Sequence, residues 1–283
     1  VENPILSSFL EFHIPTKIRY GCGLARDLKD SLSPYGTHIF VITDKTLRSC
    51  GVVQPLLEAI PSGFEIVAVF DDVPPNSETQ TVQRAYELLK EHPADILLAI
   101  GGGSVMDTAK SVNILKTKGG SLMDYQGVGV LEDPLEPLIC IPTTAGTGSE
   151  VTKFAIIKDN ESQQKVLFVS PTLCPNIAIL DPTLLLSLPP KISAACGMDA
   201  LTHAIESLVA QQRNILSEAC AFHTIRLVHR HLQASIQDGS HLEHRGAMLL
   251  ASTLGGMAFN DAGVGVVHAL AHPLGAHCNV PHG

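Results

Sequence analysis

The sequence has no basic run and no interleaving of basic with aromatic side chains: 19 Lys+Arg stand against 28 Asp+Glu, a formal charge of −9. A surface of that sign does not track a phosphate backbone, which excludes nucleic acid as a partner. It also lacks a membrane-length apolar segment, since the longest, 246–259, falls short of the ~18 residues that a span requires. No membrane partner is therefore expected. The opening VENPILSSFLEFHIP has neither a basic segment nor a small-residue cleavage site, so it is not read as a secretory signal. No C-x-x-C spacing occurs among Cys22, Cys50, Cys140, Cys174, Cys196, Cys220 and Cys278, and seven is an odd number. A disulfide framework is excluded, and a reducing, cytoplasmic setting fits best. Most of these thiols, such as Cys140 in PLICIP, are expected to pack as small apolar side chains. No internal repeat or low-complexity segment is present.

What the chain does have is apolar content. At 283 residues and 45% hydrophobic it can bury a sizeable core, and two domains are expected. Short apolar runs bounded by turn residues recur in the first half: 38–43 (HIFVIT), 64–70 (FEIVAVF), 95–100 (DILLAI) and 137–142 (PLICIP). They read as buried parallel strands, with helical spacing between them in SETQTVQRAYELLKEH and VMDTAKSVNIL. This is the pattern of a doubly wound α/β domain. TKFAIIKDNESQQKVLFVS then reads as an antiparallel hairpin about a polar turn, and NIAIL (176–180) as a further strand. Beyond a boundary near Pro189 and Pro190 the signal is helical, over roughly 191–210, 217–237, 240–259 and from Val264 onward.

Two loops of the first half carry anion-binding chemistry. In LLAIGGGSVMDTAK a buried strand runs into Gly101, Gly102 and Gly103, and Ser104 with Asp107 three positions on resembles a capping box. Glycines there let backbone N–H groups approach a pyrophosphate, and the helix start adds its positive end. The spacing is neither G-x-G-x-x-G nor a P-loop, so a tight strand-to-helix turn accounts for it equally well by itself. IPTTAGTGSEVT tips the balance by presenting Thr143, Thr144, Thr147 and Ser149 around two glycines after another strand. Asp44, at the end of the first strand, has the position of a carboxylate that accepts from the NAD ribose, although an ordinary helix cap is the commoner fate of such a residue.

The second half concentrates metal-ligating groups. Asp199 and His203 in GMDALTHAIE lie one above the other on a helix face, as do His268 and His272, after which Pro273 should bend or end the helix. His277 and His282 follow. A carboxylate with imidazoles favours Fe(II) or Zn(II), and three or four protein ligands leave a position for substrate. Asp199 with any two or three of His203, His268, His272, His277 and His282 would satisfy that requirement. His223, His229, His231, His241 and His244 occupy polar helical contexts and are expected to be solvated.

Taken in order, GGGSVMDTAK, PTTAGTGSEVT, DPTLLLSLPP, GMDALTHAIE and HALAHPLGAHCNVPHG resemble the iron-containing (group III) alcohol dehydrogenase family, from about Tyr20 onward. The resemblance implies a dehydroquinate synthase-like fold, α/β followed by all-α. A Rossmann-like nucleotide-binding domain would span 1–189, and a helical metal-binding domain 190–283. It implies Asp199, His203, His268 and His282 as metal ligands and His272 as a catalytic residue of the cleft. Gly101, Gly102, Gly103 and Ser104 match the pyrophosphate loop, Asp107 the nicotinamide ribose position, and Thr143, Thr144 and Thr147 the second nucleotide loop. Lys165 aligns with a lysine near the cofactor, and Asp44 with the position tied to NAD preference.

The activity so implied is metal-assisted hydride transfer between NAD(H) and an alcohol/aldehyde or ketone pair. Fe(II) is the expected ion, Zn(II) the alternative, and a cytoplasmic homodimer the expected form. The alternatives are a related polyol dehydrogenase or sugar-phosphate lyase, and a truncated, non-catalytic nucleotide-binding chain. Two features depart from the family. Asp261 stands where asparagine is usual, adding negative charge near the helix of His268. Family members also continue with further helices past PHG, so the helical domain is expected to be incomplete and His282 loosely held.

Overall fold

Six parallel strands form the main sheet, in the order β1-β9-β6-β4-β2-β3. They are β1 (Lys17–Tyr20), β2 (His38–Ile42), β3 (Glu65–Phe70), β4 (Ile96–Gly101), β6 (Leu138–Pro142) and β9 (Ile177–Leu180). A smaller sheet joins β5 (Gly127–Val128), β8 (Lys165–Val169) and β7 (Phe154–Lys158), with β7 and β8 antiparallel. The helices of the sheet half are α1 (Lys29–Leu32), α2 (Lys45–Ser49), α3 (Gln54–Glu58), α4 (Thr79–Glu91) and α5 (Gly103–Lys118). Those of the second half are α6 (Pro190–Val209), α7 (Ile215–Gln237), α8 (Leu242–Ala262) and α9 (Val266–Cys278). This computed structural model describes residues 11–278, 280, 282 and 283, the backbone alone at 276 and 277; the side chain of His277 thus lies outside the described residues.

The central strand explains why the apolar runs are continuous rather than alternating. Every residue of β4 is buried, because helices cover both faces of the sheet. Leu97 and Ala99 pack with Phe40 and Ile42 against α4 and α5, through Val82, Ala85, Ala109 and Val112. Ile96, Leu98 and Ile100 face the other way, with Ile39 and Val41, onto Leu28, Leu32 and Leu56. Successive residues therefore serve opposite cores, as the period of two requires.

Chain order fixes where a ligand can sit. From β2 the chain moves outward to β3, then crosses back to place β4 on the other side of β2. The carboxyl ends of β2 and β4 thus flank a topological switch point, the crevice where open α/β sheets bind ligands. Asp44 follows β2 there, and Gly101 ends β4, with Gly102 and Gly103 leading into α5.

The apolar stretch 246–259 lies inside α8, and among the described residues no helix is long and apolar enough to cross a membrane. Pro273 does not end α9, which runs through it to Cys278. The strands β1 and β5 have no counterpart in the sequence reading. KIRY is a mostly exposed edge strand, and β5 is two residues long. All seven cysteines are free, but only Cys140 is fully buried, while Cys22, Cys50 and Cys278 are exposed. The expectation of mostly buried thiols fails where the residue sits in a turn, as Cys22 and Cys50 do, and not among buried strand residues as Cys140 does.

Candidate active site: a cleft between the sheet edge and the helical half

The glycine loop is shaped by the loop that lands on it. Gly102 is the N-cap of α5 in extended conformation with no side-chain cap, so the helix's first N–H groups stay available to an anion. A Cβ on Gly103 would lie 2.6 Å from Thr147 Cγ2, and one on Gly102 3.0 Å from Thr144 Oγ1. Threonine hydroxyls of the second loop therefore sit directly against the glycines of the first, which makes a single polar edge from two distant segments. Thr143 is buried, and its N–H donates to the Gly101 carbonyl at 3.1 Å.

Ser104 is not a cap, contrary to the sequence expectation. Its hydroxyl donates to the Pro75 carbonyl, tying α5 to the loop after β3. Asp107 does not close a box either, because it accepts from Ser149 Oγ at 2.7 Å and from the Ile156 N–H at 3.1 Å. Burial pushes its carboxyl up, opposed by Lys110, by these hydrogen bonds and by Lys165. Asp44 Oδ1 accepts from the Leu47 N–H at 2.8 Å and so caps α2. One carboxylate oxygen is thereby committed locally, while the residue still stands at the switch point.

The helical half closes the cleft with a carboxylate surrounded by imidazoles. Asp199 and His203 come from α6, His268 and His272 from α9, and His282 from the segment after it. Asp199 Oδ1 lies 3.7 Å from His203 Nε2, 3.6 Å from His268 Nε2 and 3.7 Å from His282 Nε2. These separations are long for hydrogen bonds. Two ligand atoms about 2.1 Å from one tetrahedral ion sit roughly 3.4 Å apart, close to what is seen. Asp199, His268 and His282 bring their ligand atoms within 4.8 Å of one another. His203 Nδ1, His268 Nε2 and His282 Nδ1 are buried without a hydrogen-bond partner among the described residues. Of these only His268 Nε2 faces Asp199; together with the Nε2 atoms of His203 and His282, which also face that carboxylate, it makes a donor set that fits a divalent ion.

The surroundings hold Asp199 and His203 in ligand-competent states, whereas for His268 burial is outweighed by Asp199 and Glu206, which raise it. Burial opposes the charge on Asp199, but His203, His268 and His282 outweigh it and draw its carboxyl down to about 2. Burial lowers His203 to about 4, against the pull of Asp199, so its ring is neutral at neutral pH. That ring is stacked between Phe259, at 4.3 Å, and His268, at 4.5 Å, which fixes its plane. His272 stands apart from the Asp199 cluster: its ring lies 5.2 Å from that of His282 and 6.0 Å from that of His268. Burial, Lys165 and the neighbouring histidines lower it to about 4. Burial likewise lowers the Lys165 amine, with Asp107 and Asp199 pulling the other way.

One cleft of about 240 Å³ touches both sets of residues: Gly103, Ser104 and Asp107 from the sheet edge, and Asp199, His268 and His272 from the helices. Gly101, Gly102, Thr143, Thr144 and Asp44 lie outside its lining, along the open sheet edge. Asp261 does not add free charge near His268, because Lys153 Nζ pairs with it at 3.4 Å and the His13 N–H donates to it at 3.2 Å. His231 and His244 are not simply solvated; their Nδ1 atoms meet at 2.9 Å, and His241 stacks on His244.

Several residues of the cleft escaped the sequence reading. Phe154 and Phe259 form an apolar wall, Pro75, Asn76 and Ser77 arrive from the loop after β3, and outside the lining Glu206 grips His268. Glu206 had a signal, since Asp199, His203 and Glu206 follow i, i+4, i+7 on one helix face. The aromatic wall had none beyond ordinary core periodicity.

A parallel sheet with glycine and threonine loops at its carboxyl edge, closed by an Asp/His-bearing helical half, defines a two-part nucleotide-and-metal architecture. The chain belongs to the iron-containing alcohol dehydrogenase family: that family's description matches residues 15–182, and its C-terminal counterpart, "Fe-containing alcohol dehydrogenase family, C-terminal", matches 193–283. It is 37% identical over 273 residues to "Alcohol dehydrogenase 4" of Schizosaccharomyces pombe, a match covering 96% of this chain and 65% of that protein. Among solved structures it superposes on a 1,3-propanediol oxidoreductase with a TM-score of 0.93 and 36% identity, covering 97% of this chain and 72% of the other. It also matches a sulfoacetaldehyde reductase of Bifidobacterium kashiwanohense in complex with NAD+, with a TM-score of 0.88 and 33% identity over 98% of this chain and 73% of the other. The chain thus spans about two thirds of the length of these relatives.

Proposed function

We propose that this chain is an NAD-dependent, metal-assisted oxidoreductase acting on an alcohol and its aldehyde or ketone. The observation that carries this reading is the cleft in which Gly103, Ser104 and Asp107 face Asp199, His203, His268 and His282. Residues 1–189 hold the nucleotide: N–H groups at Gly103 and Ser104 meet the pyrophosphate, with Thr144 and Thr147 alongside. The remainder of the dinucleotide lies along the sheet edge, where Gly101, Gly102, Thr143 and Thr144 stand outside the lining of the cleft. Residues 190–283 hold the ion through Asp199, His203, His268 and His282, with Fe(II) preferred and Zn(II) the alternative. NAD supplies the hydride acceptor and the ion supplies Lewis acidity for the substrate oxygen.

The chain's own residues do the rest. Phe154 and Phe259 exclude water from the reacting region. Lys165 places a positive charge between the carboxylates of Asp107 and Asp199. His272, neutral at neutral pH and not grouped with the Asp199 cluster, orients the alcohol and takes up its proton. The enzyme works as a cytoplasmic homodimer; free thiols and the exposed Val128 of β5 and Val130 after it support that reading.

Preference for NAD over NADP follows from Asp44, whose charge opposes a 2′-phosphate at the switch point. Asp44→Gly removes that charge while glycine still serves as a cap, at a cost of only a few tenths of a kcal/mol. The expected result is a roughly tenfold narrowing of the NAD/NADP affinity ratio, about 1.4 kcal/mol. Titration of both reduced cofactors by fluorescence checks it, and equal affinity for the two in the unmodified chain contradicts the assignment.

A further inference from the structure

We infer that Glu206 is a positioning residue for the metal centre, setting which nitrogen of His268 faces the ion. The inference rests on the ligand set proposed above. Glu206 Oε1 accepts from the Val267 N–H at 2.7 Å, and Oε2 lies 2.5 Å from His268 Nδ1. A carboxylate that only accepts fixes the tautomer of the neutral ring, the form that binds a metal: Nδ1 carries the proton and donates it to Oε2, which leaves Nε2 with the lone pair. That Nε2 is the buried, unpartnered atom 3.6 Å from Asp199 Oδ1. The same carboxylate bonds backbone in the first turn of α9, so one side chain on α6 sets both the entry of α9 and the ring orientation of its ligand histidine. Groups that hold the far nitrogen of a metal-ligating histidine raise metal affinity by about 10–100-fold.

The geometry also explains Gly265. A Cβ there would lie 2.9 Å from Glu206 Oε1. The atom it would meet is the far end of a flexible side chain, so an alanine is accommodated by moving the carboxylate rather than the backbone. Glycine at this position keeps Glu206 where it reaches Val267 and His268 together.

Two variants of the full chain test this, Glu206→Gln and Gly265→Ala. In Glu206→Gln the amide oxygen is needed by the Val267 N–H, which turns the NH₂ toward His268 Nδ1. Nδ1 must then accept, and the ring proton moves to Nε2, where it blocks the ligand lone pair. In Gly265→Ala the charge is kept but the carboxylate is displaced. Each metal-depleted variant is titrated with Zn(II) against a chelator, with NADH binding and melting temperature recorded alongside. The expected result for both is a tenfold to hundredfold weaker metal affinity with NADH binding unchanged. Cobalt(II) bound to Glu206→Gln should also show altered visible bands, reporting a changed nitrogen donor. Gly265→Ala keeps the test open if Glu206→Gln does not fold. Unchanged Zn(II) affinity and cobalt bands in a folded variant would overturn the role of Glu206. If His268→Ala also binds metal normally, the ligand set itself is wrong, so the two failures are distinguishable.

Discussion

Replacing His268 by alanine is expected to abolish ion binding and alcohol-dependent NAD+ reduction together. His268 is buried, and its Nε2 points at Asp199 without a hydrogen-bond partner, so its loss takes one of the four proposed donors from the cluster. The variant also strands Glu206 Oε2 without its imidazole partner, an added cost of roughly 1–3 kcal/mol for a buried polar group. If the ion contributes about 4 kcal/mol to the transition state, its loss slows turnover by about a thousandfold. Nucleotide affinity should be nearly unchanged, because the glycine and threonine loops belong to the other half. Elemental analysis and NADH fluorescence separate these effects. A folded His268→Ala chain that keeps a full equivalent of metal would refute the ligand assignment.

The second large effect is expected at Gly148, where the two halves meet backbone to backbone. Gly148 has φ +61, and a Cβ there would lie 2.6 Å from Gly256 Cα and 2.9 Å from the Ser252 carbonyl oxygen of α8. Gly148→Ala therefore costs about 1–2 kcal/mol for a left-handed backbone, plus about 1–3 kcal/mol for overpacking against atoms that move only if α8 moves. A total near 3 kcal/mol lowers the melting temperature by roughly 6–12 °C in a domain of this size. Displacing α8 also disturbs Phe259, which stacks on His203. Gly51→Ala is the matched control, since Gly51 has φ +75 but nothing within 4 Å of its would-be Cβ. Equal melting temperatures for the two alanine variants would contradict the close-contact account.

These contacts also mark how far the sequence could be read. Strands such as 95–100 were legible because a parallel strand buried on both faces is written as an unbroken apolar run. The helices from Pro190 onward were legible by period, and the Asp199/His203 and His268/His272 pairs by their spacing of four. What escaped depends on which distant segment lands where. Nothing local to GGGS says that Thr144 and Thr147 rest on those glycines, or that the Ser104 hydroxyl is taken by the Pro75 carbonyl. Ser104 was misread as a cap for that reason: the local pattern S-x-x-D is satisfied, but Asp107 is claimed by Ser149 and Ile156 from the following hairpin region. Asp44 shows the converse, a residue whose local role as a cap and whose position at the switch point are both realised in the fold.

The central claim is that one ion in the Asp199 cluster and a nicotinamide nucleotide on the glycine loop act on an alcohol in the same cleft. Its most direct test is the initial rate of NAD+ reduction by metal-depleted chain with a short primary alcohol, as Fe(II) is added back anaerobically. The account predicts no rate without metal and a rise that saturates at one Fe(II) per chain, with Asp199→Asn flat throughout. A rate indifferent to Fe(II), or restored equally in Asp199→Asn, would contradict it.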